Sequence, residues 1–238
     1  MGVVLVIIIF LVLAAIAIAG AIAAQKAAQA RRDALAALAN ELGFRFDPSE
    51  DADHDDEYAQ FEIFRRGHSR SAYNTLTGGI DPGGPDAGLA VLPVKMGDYT
   101  YKITTSNGKT TSTHTYHFSY AILHLPYANV PNLLIRPEGM FDRLAGVLGF
   151  DDIDFESAEF SRKFHVQSGD KKFAYDVCHP RMMEFLMNGT PPTINIEHGR
   201  CCLFSGGKRW EPAEFRQALS WANAFFEQWP EHVVKQLS

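Results

Sequence analysis

Cysteine is scarce in this chain. Cys178 and the adjacent pair Cys201 and Cys202 are the three cysteines present, an odd count at a spacing that builds no disulfide framework. Thiols left in that state fit a reducing compartment. Basic charge is also short, with 22 Lys and Arg against 28 Asp and Glu and a formal net charge of −6. Protein-wide attraction to nucleic acid requires clustered cations that displace phosphate counterions, so no nucleic-acid partner is expected. The Gly/Pro run Gly78 to Gly88 has no Walker or dinucleotide pattern, and no segment repeats at a fixed period. No cofactor is therefore expected. What is present, 46% hydrophobic and 21% charged residues, is the composition of a folded globular chain rather than a disordered one.

Charge of either sign is missing near the N-terminus. From Val3 to Ala24 the run VVLVIIIFLVLAAIAIAGAIAA holds 22 residues with no charged or strongly polar side chain. As a helix it rises roughly 33 Å, which matches a hydrocarbon core of roughly 30 Å. Lipid offers the backbone no hydrogen-bond partners, so a lone apolar segment of this length satisfies itself as a helix. A cleaved signal peptide would carry Lys or Arg before the run and a shorter apolar region, roughly 7 to 15 residues, so a retained anchor is expected. Lys26, Arg31 and Arg32 follow the run and no cationic side chain precedes it, which points the soluble part towards the cytoplasm. Val6 stands where N-myristoylation would need Ser or Thr, so a lipid anchor is not indicated.

The remainder reads as an α+β protein. Residues 1–24 form the transmembrane anchor, 25–46 a juxtamembrane helix or stalk, 47–150 a β-rich sub-domain and 151–238 an α+β sub-domain. Leu35, Leu38 and Leu42 recur at helical spacing before Gly43. The acidic stretch Asp47 to Glu57 reads as an exposed loop. Alternating patterns at Phe61 and Ile63, at Ser69 to Leu76 and at Leu89 to Val94 predict strands. Asn107-Gly108 predicts a two-residue type I′ hairpin that pairs Ile103 with Ser112, Tyr101 with His114 and Tyr99 with Tyr116. Tyr99, Tyr101, His114, Tyr116, Phe118, Tyr120 and Ile122 then share the face expected to be buried. A strand is expected at Leu133 to Arg136 and a helix after Pro137. Asp151 to Glu159 is expected as a connection, Phe164 to Val166 as a strand and Pro180 as the opening of a helix. Thr193 to Glu197 and Arg200 to Phe204 pair through a turn at His198-Gly199, and a long helix follows Pro212.

Few residues carry candidate chemistry. Asp51, Asp53, Asp55 and Glu62 match positions 1, 3, 5 and 12 of a calcium loop, but Asp56 replaces the Gly that makes its sharp turn, so a merely acidic loop is expected. His114 and His117 fall on opposite faces of their strand, and His124 lies roughly 33 Å along it from His114. No metal site is expected. Cys178, next to His179 and just ahead of the Pro180 helix, is the one nucleophile-like arrangement, with the helix dipole available to lower its thiol pKa. No base or orienting partner accompanies it, so no catalytic residue is assigned. Arg65, Arg66, His68 and Arg70 form a basic turn, the candidate binding surface for a protein or a lipid headgroup.

The order of a span, LGFRF, FEIFRRGHSRSAYNTLTG, LLIRPEG and a late FSRKFHV…DVCHPRMMEFL block resembles uncharacterised bacterial families of single-span membrane-anchored proteins of unknown function. The resemblance implies a bacterial membrane protein and supplies no catalytic residues. The sequence thus reads as a non-enzymatic binding or scaffolding module at the cytoplasmic membrane face, in contact with the bilayer through residues 3–24. A membrane-tethered hydrolase or thiol enzyme using Cys178 is the alternative. Alkaline carbonate extraction of membranes should leave the full chain in the pellet and release a variant lacking residues 3–24. A full chain found in the supernatant would contradict the anchor.

Overall fold

A computed structural model describes residues 2–81, 91–127, 129–139 and 151–237. The N-terminal apolar run continues without a break into the stalk as one helix, α1 (Gly2–Leu42), of 41 residues. Its side chains are exposed through the apolar run, as a transmembrane helix requires, whereas Leu35, Leu38 and Ala39 are buried against the domain. The helix ends at Gly43, φ +68°. There the Phe44 amide donates to the Ala39 carbonyl (2.8 Å) and the Gly43 amide to that of Asn40 (3.3 Å), a Schellman stop that satisfies the last carbonyls.

Among the described residues eight antiparallel strands follow: β1 (Arg45–Asp47), β2 (His68–Ile80), β3 (Leu92–Ser106), β4 (Thr111–His124), β5 (Leu133–Pro137), β6 (Phe164–Ser168), β7 (Thr193–Glu197) and β8 (Arg200–Phe204). They form a single sheet in the order β1-β2-β3-β4-β8-β7-β5-β6. The boundary expected at 150/151 therefore does not divide the sheet, since β8 pairs with β4 and β5 pairs with both β6 and β7. Alternation along the strands builds a core on each face. One face, carrying Leu76, Met96, Leu123, Ile135, Ile196 and Leu203, packs under the C-terminal part of α1 and under α3 (Ala158–Lys163), α4 (Lys171–Val177), α5 (Pro180–Met187), α6 (Pro212–Glu227) and α7 (Glu231–Leu237). The other face carries Tyr99, Tyr101, Phe118, Tyr120 and Ile122. It is covered by α2 (His54–Glu57) and a 3-10 turn (Glu62–Arg65), which bring in Tyr58, Phe61, Ile63 and Phe64. Cys201 and Cys202 divide between the two cores, as neighbours on one strand must.

Several local expectations change. The β3–β4 register is shifted by two, with Ile103 opposite His114, Tyr101 opposite Tyr116 and Tyr99 opposite Phe118. The side chain of Asn107 is the cause: its Oδ1 accepts from the amides of Lys109 (3.1 Å) and Thr110 (2.9 Å), closing a four-residue loop in place of a two-residue turn. An even shift preserves the faces, so Tyr99, Tyr101, Phe118, Tyr120 and Ile122 stay inside, while His114, nearer the tip, is exposed. Phe61 and Ile63 lie at the 3-10 turn rather than in a strand, which lets Phe61, Ile63 and Phe64 all face the core. The acidic stretch is mostly exposed, as expected, but its middle is tied in: Asp51 bridges to Ala72, and His54 and Asp55 are buried. The segment expected as a connection begins α3 at Ala158, where Ser157 accepts from the Phe160 amide. α4 was not expected; Asp170 caps it through the Phe173 amide at 3.0 Å. The helix expected after Pro137 falls mostly on 140–150, outside the described residues. The turn at His198-Gly199 has positive φ at both positions, +48° and +70°, as expected of a type I′ hairpin.

His54 lies inside the aromatic core with no exposed surface, its ring 4.6–4.7 Å from those of Tyr58, Phe64 and Tyr120. Burial, reinforced by the charge of Lys95, pushes its imidazole from the ordinary 6.5 down to about 3. A depressed folded-state value means that the unfolded chain binds the proton first. The resulting stability is complete above the unfolded value and is lost as pH falls from 6.5 towards 3, at up to about 1.4 kcal/mol per pH unit. Urea unfolding at successive pH values should show a shallower acid loss for His54→Leu than for the parent. Equal slopes would contradict the assignment.

Candidate functional site

The exit of α1 and the middle of β3 are joined by one buried ion pair. Arg31 lies seven residues beyond Ala24, roughly 10 Å along the helix. Its Nε and Nη2 donate to Oδ2 and Oδ1 of Asp98, both at 2.7 Å, and Asp98 has no exposed surface. Such a bidentate fork fixes orientation as well as distance. The carboxylate also accepts from Asn74 Nδ2 (3.1 Å) and Ser119 Oγ (2.7 Å). Ser119 Oγ in turn accepts from the Trp210 amide at 2.9 Å, and Arg31 Nη2 donates to the Trp210 carbonyl at 2.9 Å. Four segments thus converge on Asp98. Asn74 reaches it because the register slips between Tyr73 and Leu76 and the backbone at Asn74 turns to φ +52°. Gly97 admits that bulge, since a Cβ there would sit 3.1 Å from the carbonyl oxygens of both Tyr73 and Asn74.

Beside the ion pair, a cleft of about 400 Å³ opens between α1 and the loop that leads into α6. Ala27, Ala30 and Ala34 leave the space, while Arg209, Glu211 and Pro212 form the opposite wall. Pockets of this size accept a small ligand or a peptide side chain. Glu211 is committed to the capping box of α6, while Arg209 is exposed at the rim and reaches the Tyr73 hydroxyl, which also meets His117 Nδ1 at 3.2 Å. The walls are cationic, acidic and aliphatic.

The basic turn is differently occupied. Arg66 Nε donates to both oxygens of Glu62 at 3.0–3.1 Å, and Arg70 Nε to Asp55 Oδ2 at 2.6 Å. Arg70 also donates to the carbonyls of Arg65 and Gly67. His68 Nε2 meets Thr104 Oγ1 at 2.9 Å, and exposed Arg65 acts electrostatically on Glu197. Arg70 and His68 thus tie the turn to α2 and β3. The calcium-loop carboxylates disperse in the same way: Asp51 to Lys95, Asp55 to Arg70, Glu62 to Arg66. Cys178 caps the C-terminal end of α4 and its amide donates to Ala174, so it closes one helix as the next begins. Burial pushes its thiol well above the ordinary value, the reverse of the lowering expected from the α5 dipole.

Asp98, Arg209 and Glu211 were not singled out by sequence, and Arg31 was read there only as a cation flanking the span. One signal was present: alternation places Asp98 on the same face as Val94 and Met96, and a carboxylate in that row needs a buried cation.

The fold is similar to that of a solved transport factor. The crystal structure of the mycobacterial trehalose monomycolate transport factor A, TtfA, superposes at a TM-score of 0.55 and 14% identity, covering 84% of this chain and 96% of TtfA. Comparison with protein-family profiles and with curated proteins gave no match. At that identity the likeness to TtfA is one of fold.

Removing one partner of a buried ion pair strands the other, at about 3 kcal/mol or more. Arg31→Leu and Asp98→Asn should each lower unfolding stability by that order in detergent micelles, and the double variant should cost much less than their sum. Additive losses would show that the pair does not act as a unit.

Proposed function

We propose that this chain is a single-span, non-enzymatic binding module that holds a partner protein beside the cytoplasmic face of the membrane. The observation that carries the reading is the buried Arg31–Asp98 pair, which fixes the domain, and with it the Arg209/Glu211 cleft, to α1 roughly 10 Å beyond the apolar run. A flexible tether would suit an enzyme that samples soluble substrate; a rigid mount suits a module whose position relative to the bilayer matters. The fold likeness to TtfA, a transport factor by name, supports an accessory role beside a membrane process. Lys26, Arg31 and Arg32 after the span support the cytoplasmic side.

A photo-crosslinking residue in place of Arg209 should yield a discrete adduct in membranes, absent when the same residue replaces Glu227 at the far end of α6. Identical adducts at both positions, or none at Arg209, would contradict the cleft as the binding site. Protease added to intact cells should spare a C-terminal tag, and its digestion would reverse the sidedness.

A further inference from the structure

The direction of the strands relative to α1 has a geometric consequence. Near Arg31, α1 meets Asp98, Ser119 and Trp210, and near its C-terminal end Phe44 lies against Gly78, which pairs with Val94. α6 runs the same way, from Pro212 beside Ala27 to Leu35 towards Trp229 beside Leu92 and Leu125. Leaving the membrane along α1 thus means travelling from Asp98 towards Leu92, and β3 beyond Asp98 heads back to the bilayer. From Asp98 to Ser106 it extends eight residues, roughly 26 Å. The stalk between Arg31 and the end of the apolar run supplies only about 10 Å. Even an inclination of about 40° leaves the strand roughly 20 Å of reach along the helix axis, more than the stalk provides. The tip, from Thr104 to Thr115, is exposed and made of Thr, Ser, Asn, Lys, His and Gly. Side chains of that kind do not enter hydrocarbon, so the excess reach is taken up by tilt of the span or bending of the ribbon until the tip rests in the headgroup layer, about 5–7 Å deep.

The charge of the hairpin agrees. In a chain of net charge −6, no acidic residue occurs between Asp98 and Glu138. Lys102 on the helix-side face and Lys109 in the loop are exposed and form no ion pair among the described residues. Lys26 and Arg32 on α1 and Arg209 at the cleft rim add cationic charge at the same end; Asp33, held by Gln29, is the nearby exposed carboxylate on α1.

We infer that the β3–β4 hairpin is a second membrane contact: its tip lies on the leaflet from which α1 emerges and binds anionic lipid headgroups through Lys102 and Lys109. The contact is independent of what the Arg209 cleft binds and of which side of the membrane the domain occupies. Together with α1 it makes a two-point attachment that restrains rotation of the domain about the helix axis.

The test uses the full chain reconstituted in phosphatidylcholine vesicles containing about one third phosphatidylglycerol. A fluorophore at the hairpin tip (Thr111→Cys) and one at the far end of α6 (Glu227→Cys) are challenged with lipids carrying nitroxide on the headgroup or deep in the acyl chain. Quenching of the tip by headgroup nitroxide, with little quenching by deep nitroxide and little at the α6 position, is the expected result. Lys102→Ser and Lys109→Ser should each lower the docked-to-free ratio of the tip roughly fivefold. Equal quenching at both positions, or lysine variants quenched as strongly as the parent, would overturn the inference. A chain that fails to float with the vesicles would overturn the anchor as well, so failure of the span and failure of the hairpin contact are separately visible.

Discussion

The arrangement of this molecule depends on the buried pair of Arg31 and Asp98. Desolvating two charges costs several kcal/mol each, and the bidentate attraction with its added hydrogen bonds does little more than offset that cost. The benefit is geometric. A guanidinium fork meeting a carboxylate that also accepts from Asn74 and Ser119 has one satisfied arrangement. Apolar packing alone would let α1 slide or turn on the sheet with little penalty. The pair sets the axial position and rotation of the helix, and because that helix is the membrane span, it sets the position of the whole domain relative to the bilayer. The surface pair of Arg216 with Glu41, further along α1, is exposed on both sides and adds little.

The second core has a related role. Tyr99, Tyr101 and Phe118 lie on the part of the sheet that extends past Asp98 towards the membrane, and α2 with the 3-10 turn covers them. Beyond Lys102, where the pairing with β2 ends, the hairpin is a two-stranded projection, a form marginal in water, and this cover packs its base. Tyr99 is further tied by its hydroxyl to the Phe64 carbonyl at 2.6 Å. The acidic segment therefore belongs to the support of the hairpin: Asp55 holds Arg70, Asp51 and Glu57 hold Lys95, and His54 fills the centre of the aromatic cluster.

Features that depend on neighbours in sequence were legible from the residues. The apolar run of 3–24, the stop at Gly43, the buried aromatic face of β3 and β4, the His198-Gly199 hairpin and the helix opened by Pro212 each follow from a local pattern. Features that depend on distant partners were not. Arg31 and Asp98 are 67 residues apart and share no motif. The β4–β8 pairing, which joins the two expected sub-domains into one sheet, leaves no trace in periodicity. The hairpin register depended on whether Asn107 would bond through its backbone or its side chain, a choice its identity does not decide. Short helices such as α3 and α4 carry too few turns to show a stripe, although Ser157 and Asp170 were present as caps.

The mount of the domain on its span is defined more sharply than any one surface. The fold that this chain shares with TtfA carries a name but no residue-level role across 14% identity. The rigidity of the mount is measured most directly by the distance between spin labels at Gln25, just past the apolar run, and at Glu227, in full chain embedded in lipid nanodiscs. A single narrow distance distribution that broadens in Arg31→Leu is the result predicted by a domain fixed to its span. A broad distribution in the parent chain, unchanged by that substitution, would mean that the domain swings freely on its stalk.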